Sequence, residues 1–373
     1  PDQGTHLVDH FGVVTRQSEV RVGVSGCQRN GGLQRLADLD TQTLREGLGH
    51  ADALAVACHR VSLPVPGTGV VRFALLQGFG SCGGLQQQLL ARMFARLQVI
   101  GVDAGALTSF FYPFSEREKI YELYEEMSGA RLTTNMGRIG GFERDFTPVF
   151  HQKLKSFLKT FPKAFEEFDS MLARNRIFMD RTKGAGPISA ERALSYSFSG
   201  PNLRAAGVDY DVRAMNPYSS YEDFEFDIPV GKSGDTYDRF CVRNAEVWES
   251  LSIIKQALAK LPEGPIHADV PDYYLPPKED VYTNMESLIY HFKIVMGEVP
   301  VPVDEIYHAV EGGNGELGFY LITDGSRTPY RLKFRRPCYI YYQAYTEMIK
   351  GGMLSDAIVI LSSLNVIAGE LDA

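Results

Sequence analysis

The segment PVFHQKLKSFLKTFPKAFEEFDSMLA, residues Pro148 to Ala173, decides the fold class of this chain. Val149, Phe150, Leu154, Phe157, Leu158, Phe161, Phe165, Phe168 and Leu172 recur at spacings of three and four, the period of one face of an α-helix. A long amphipathic helix is predicted, with Pro162 the point where it can bend. Its phenylalanines read as core packing. TYDRFCVRNAEVWESLSIIKQALAKL, Thr236 to Leu261, predicts a second long helix, entered at Asp235 and stopped by Pro262 and Gly264. Thr283 and Glu286 predict a capping box for a third, ending near Glu298.

Strand signals are local. Phe224, Phe226 and Ile228 alternate with acidic residues before Pro229. Gly318 to Thr323 can pair with Tyr330 to Phe334 across the Asp324-Gly325 turn region. The expected architecture is α+β: a helical bundle core with small flanking β-sheets, rather than a parallel α/β sheet. Gly313, Gly315 and Gly318 satisfy GxGxxG, but the following GFYLIT reads as a strand where a dinucleotide site needs a helix. Gly231-Lys232-Ser233 lacks the upstream glycine of a phosphate loop.

Composition narrows the function. The chain has 373 residues, 44% hydrophobic and 23% charged, with a net charge of −8, which argues against a nucleic-acid partner. The longest apolar run, Ala357 to Ile367, is too short to cross a bilayer, so membrane association is expected through partners. Cys27, Cys58, Cys82, Cys241 and Cys338 form no CxxC pair; their odd number and irregular spacing suggest reduced thiols in a cytoplasmic setting. No charged-then-apolar secretory leader opens the sequence.

The chemically informative stretch is GVDAGALTSFFYPFSEREK, Gly101 to Lys119. From Leu97 to Ser115, Asp103 is the only ionisable side chain apart from Tyr112. An ionised, unpaired, buried carboxylate costs several kcal/mol, so Asp103 is expected to be protonated, paired across the fold, or facing a cavity where its proton is used. A cap on a helix beginning near Ala104 is the alternative.

The wording of this stretch, followed by SGAR (Ser128 to Arg131) and RIGG (Arg138 to Gly141), resembles the D subunit of proton-pumping NADH:quinone oxidoreductase, respiratory complex I. The resemblance continues through NRIFMDRT (Asn175 to Thr182), FSGPNLRAAGVDYDVR (Phe198 to Arg213), PYSSYEDFEFDIPVGKSGDTYDR (Pro217 to Arg239), MESLIYHFK (Met285 to Lys293) and GELGFYLITDGSRTPYRLKFRRP (Gly315 to Pro337). It implies a fold like the nickel-iron hydrogenase large subunit and a place at the quinone pocket. Subunits B and C and the membrane subunits H and A are the implied partners, at the cytoplasmic face of the bacterial inner membrane. Electrons would come from a 4Fe-4S cluster in the adjacent B subunit, with no metal or flavin in this chain.

The resemblance assigns site roles by position. Asp103 would deliver protons to quinone, and His6 would donate a hydrogen bond to its carbonyl. Thr108, Phe111, Asp356 and Ile358 would line the pocket, and Arg138 would face the cluster. For Asp356 the alternative is a helix N-terminal charge, and for Arg138 a structural ion pair. Hydrogenase chemistry is the competing reading on fold grounds, but it needs thiolates from two CxxC pairs, and no cysteine follows Cys338. A structural, catalytically impaired subunit is the third reading.

Residues 1–98 differ in kind from residues 99–373. The first lysine is Lys119, the first isoleucine Ile100 and the first tyrosine Tyr112, while ten of thirteen glutamines fall at or before Gln98. Of the family's opening loop GPQHPxTHG, only Pro1, Gln3, Thr5 and His6 remain, and the tyrosine that the family carries downstream of it is missing. The preferred explanation is a GC-rich gene translated here in the wrong frame; the alternative is a divergent or inserted N-terminal domain.

Overall fold

The computed structural model describes residues 97 and 99–372, except 132–135, 139–140, 143, 262–263, 267–272 and 298–300. His6 and the expected boundary at residue 98 therefore lie outside the described residues. The helices are α1 (Phe111–Ser128), α2 (Pro148–Leu172), α3 (Arg176–Thr182), α4 (Ala190–Ser195), α5 (Gly200–Ala205), α6 (Val212–Met215), α7 (Thr236–Ala259), α8 (Lys278–Thr283), α9 (Met285–Met296), α10 (Pro337–Met348), α11 (Leu354–Leu364) and α12 (Ala368–Asp372). A two-residue pair, β1 (Gly137–Arg138) with β2 (Gly141–Phe142), and a three-stranded antiparallel sheet, β3 (Val303–Gly312), β4 (Gly315–Asp324) and β5 (Arg331–Arg335), complete an α+β architecture.

Helix α2 forms where its period predicts. Thr147 caps it by accepting from Phe150 N at 3.1 Å, Pro148 takes the first position, and the helix continues through Pro162. Phe157, Phe161, Phe165 and Phe168 build a ladder of rings 4.8 to 6.1 Å apart, closed by Trp248 of α7 at 5.3 Å from Phe165. Val149 departs from the pattern and is exposed, while its neighbour Phe150 in the same first turn is buried. Ile120, Leu123 and Tyr124 of α1, with Val247, Leu251 and Ile254 of α7, complete the same core.

Asp235 caps α7 by accepting from Asp238 N at 2.8 Å, as its position predicts. Helix α7 buries apolar residues against α2 and a polar stripe, Thr236, Arg239, Arg243, Glu246 and Ser250, on another side. A second core cluster joins Leu203 of α5, Tyr341 and Ala344 of α10, and Ile360 and Leu364 of α11.

Two local expectations are corrected. The cap of α9 is Asn284, whose side chain accepts from Glu286 N at 2.9 Å; Thr283 closes α8 and donates to Glu279 O instead. Helix α9 ends at Met296, with Gly297 in the left-handed conformation. The alternating segment from Phe224 to Ile228 pairs with no strand. Its backbone is held by α7 side chains: Gln256 receives Glu225 N at 3.0 Å and donates to Glu225 O at 2.6 Å, and Glu249 receives Asp227 N at 3.1 Å.

The pairing of Gly318–Ile322 with Arg331–Arg335 matches expectation, and β3 joins as a third strand not anticipated. The GxGxxG glycines belong to this sheet. Gly313 and Asn314 make the tight turn between β3 and β4, and a Cβ on Gly200 of α5, at φ +60°, would fall 2.3 Å from Gly315 Cα. Close backbone approach, not phosphate, explains the glycine there.

Candidate functional site

Asp103 lies in the last turn of a helix covering residues 99–103. Ala104 N bonds to Ile100 O at 3.0 Å and Ala106 N to Gly101 O at 2.8 Å, while Gly105 takes φ +97° and reverses the chain. The helix thus ends where a cap at Asp103 would have it begin, which removes the capping alternative. Gly101 packs so closely on Ser109 Oγ and Leu172 that a Cβ would lie 2.6 Å from the former, which fixes the turn against the end of α2.

The Asp103 carboxyl is partly buried, and burial raises its pKa; the nearby Ser362 hydroxyl of α11 opposes this. The negative end of the helix dipole also favours the neutral form. Ser362 has one hydroxyl hydrogen, which it donates to Val359 O at 2.9 Å, and two acceptor lone pairs. The hydroxyl can serve an ionised Asp103, or return to Val359 and accept from a protonated one.

Helix α11 carries both C-terminal site candidates. Ile358 stands one turn before Ser362 on the same face and is 59% exposed. Asp356 accepts from Met353 N at 3.1 Å and lies 3.7 Å from Arg181 of α3, whose guanidinium also donates to Ser355 O at 3.2 Å. It stands at the helix N-terminus, where the dipole favours a negative charge, and ties α11 to α3. On its other side α11 is anchored by fully buried Arg239, which donates to Ser363 Oγ at 2.9 Å, Gly234 O at 2.7 Å and Gly186 O at 3.1 Å.

Thr108 lies in the 3-10 turn Leu107–Phe110 and Phe111 opens α1; both are exposed, Phe111 by 63%. With Leu107, Tyr112 and Phe114 they leave an apolar surface uncovered by this chain's described residues. Arg138 stands in β1 opposite Gly141. The structure thus brings Asp103 to α11 near Ser362 and sets Thr108 on the adjoining turn and Phe111 at the start of α1.

Sequence reasoning missed the interior polar groups. Arg204, Arg213, Arg239, Arg243 and Glu246 are all buried. The available signal was the i, i+4, i+7 spacing of Arg239, Arg243 and Glu246, which sets a charged stripe along one side of a long helix that also carries an apolar one. No described helix is long and apolar enough to cross a membrane.

A sequence model of the respiratory-chain NADH dehydrogenase 49 Kd subunit matches residues 103–373, beginning at Asp103 itself. The NADH-quinone oxidoreductase D subunit of Flavobacterium psychrophilum is 79% identical over 276 residues, covering 74% of this chain and 67% of the relative. The D 2 subunit of Cytophaga hutchinsonii is 67% identical over 278 residues, covering 74% and 71%. The D subunit of Geotalea uraniireducens is 46% identical over 271 residues, covering 73% and 70%. Asp103 and the helix that carries Ser362 both fall within the matched span, and the chain belongs to the 49 kDa subunit family of respiratory-chain NADH dehydrogenase, the D subunits of NADH-quinone oxidoreductase.

Proposed function

We propose that this chain forms, with the B subunit, the pocket in which quinone is reduced, and that Asp103 relays protons to it. The observation that carries the reading is the Asp103 carboxyl, raised in proton affinity by burial and held against Ser362, beside the exposed apolar Ile358 of α11. Reducing a quinone takes two electrons and two protons. A carboxyl biased toward its neutral form but reachable from solvent can give up a proton and regain one. A hydrophobic wall at Phe111 and Ile358 suits an isoprenoid quinone, and Thr108 adds a hydroxyl for orientation.

Electrons come, in this reading, from a 4Fe-4S cluster of the B subunit faced by Arg138, and His6 donates to a quinone carbonyl. Subunits C, H and A are the further partners, and the assembly sits peripherally at the cytoplasmic face of the inner membrane with its redox step coupled to proton translocation. The hydrogenase-like fold supplies the cavity, occupied by quinone in place of a metal centre.

The test is Asp103→Asn in the assembled complex, which preserves shape and hydrogen bonding but cannot release a proton. Quinone reduction is expected to fall by about ten- to a thousand-fold. Electron transfer from NADH to an artificial acceptor upstream of the quinone persists. Normal quinone reduction in fully assembled variant enzyme refutes the relay, and parallel loss of assembly and both activities returns Asp103 to a structural role.

A further inference from the structure

Five ionisable side chains meet in the interior: Arg204 of α5, Asp211, Arg213 of α6, Glu246 of α7 and Glu311 of β3, none more than 4% exposed. Their bonds divide unequally. Arg213 holds Asp211 with two parallel bonds, Nε to Oδ1 at 3.0 Å and a terminal nitrogen to Oδ2 at 2.6 Å, and adds its backbone N–H at 2.9 Å. Arg204 turns Nε and one terminal nitrogen on Glu246 Oε1, at 2.8 and 2.5 Å. Its remaining nitrogen is shared among Glu311 Oε1 at 3.1 Å, Asp211 Oδ2 at 3.2 Å and Tyr210 O at 3.0 Å.

Glu311 is left without a counter-charge of its own. Its Oε1 receives a third share of one nitrogen, and its Oε2 is approached only by Val212 N at 3.5 Å. Glu246 Oε2, also buried, has no hydrogen-bond partner. The count is three carboxylates to two guanidinium groups. Arg243, one turn before Glu246, donates to Asn202 Oδ1 at 2.9 Å and Arg239 O at 3.2 Å, and Arg335 serves Glu316 at 3.5 Å. The tyrosines around Glu311 bring no charge: Tyr218 receives its backbone N–H at 2.9 Å, burial pushes Tyr210 up to about 12, and Tyr341 rises further still. His308, three residues back on β3, meets the edge of Tyr218 at 6.3 Å.

We infer that this cluster is a buried proton-binding site in which Glu311 is the carboxyl that takes up and releases the proton. A third ionised carboxylate in this dry interior would face two cations already engaged, and an uncompensated buried charge is far more costly than a neutral acid. The environments push the carboxyls apart. Burial raises Glu311 to about 7 against the opposing charge of Arg204. For Asp211 burial is outweighed by Arg213 and Arg204, and it falls to about 2. The cluster can thus hold a proton in reserve inside one component of a redox complex. The inference stands on the cluster alone and is independent of the role proposed for Asp103.

The experiment is an infrared titration of the full chain, following the carbonyl band of un-ionised carboxylic acid upward from about pH 5, where exposed carboxyls have largely ionised. A residual band with a midpoint near 7 is expected. Glu311→Gln should fold and remove the component of that band with this midpoint, because an amide reproduces the neutral acid; Asp103→Asn and Glu246→Gln should retain it. Stability gives a second reading. Glu311 has its pKa raised above 4.5, so its contribution is complete below 4.5 and is lost as pH rises through about 7. The urea midpoint of the wild type should decline across that window relative to Glu311→Gln. Absence of a late-titrating band, its survival in Glu311→Gln, its loss in Glu246→Gln alone, or failure of Glu311→Gln to fold would each overturn the assignment.

Discussion

Asp103 and Ser362 are 259 positions apart in the chain and meet only in the fold. The serine favours the ionised carboxyl by offering it a hydrogen, so removing it should leave Asp103 harder to ionise. Ser362→Ala is expected to move the pH profile of quinone reduction upward, with Ser362→Thr restoring it. An unmoved profile in an enzyme that still requires Asp103 separates the two residues. Asp103 was legible because it stands alone in an apolar run. Ser362 was not, since a serine in the apolar helix SDAIVILSSL carries no mark of what it faces. Asp356 was legible only as a choice between two roles, and its bonds to Met353 and Arg181 show the helix-terminal one without bearing on the pocket.

Among the elements, those with a strong period were readable and those stabilised by side-chain bonds were not. Helix α2 declared itself because eight of its buried residues repeat along one face. Truncating the centre of its aromatic ladder, Phe161→Ala, should destabilise the chain by about 3–5 kcal/mol in denaturant unfolding. The segment from Phe224 to Ile228 shows the opposite case. Its alternation satisfies a strand pattern, yet Gln256 and Glu249 occupy the backbone groups that a neighbouring strand would need. Replacing Asp235 by Ala removes both the α7 cap and the acceptor for Gly184 N at 2.8 Å, and should cost about 1–2 kcal/mol.

For the whole molecule, the family match and the compositional break fall close together. Matching begins at residue 103, whereas lysine, isoleucine and tyrosine are all missing before Ile100. The DNA encoding residues 1–98 is expected to contain, in another frame, the loop GPQHPxTHG and a tyrosine codon downstream of it. Sequencing the gene checks this, and stop codons across both alternative frames would leave a divergent domain as the explanation.

The interior placement of Arg204 and its partners also separates two stresses that act together on most charged proteins. Mobile ions weaken attractions they can surround, with a screening length of about 8 Å at physiological ionic strength, but they do not enter a packed interior. Exposed pairs such as Arg192 and Glu347, 2.7 Å apart, are open to screening, yet such pairs contribute little to stability. Potassium chloride at high concentration should therefore leave the urea midpoint nearly where it was. A chain built in this way resists brine through the very charges that a change of acidity can reach.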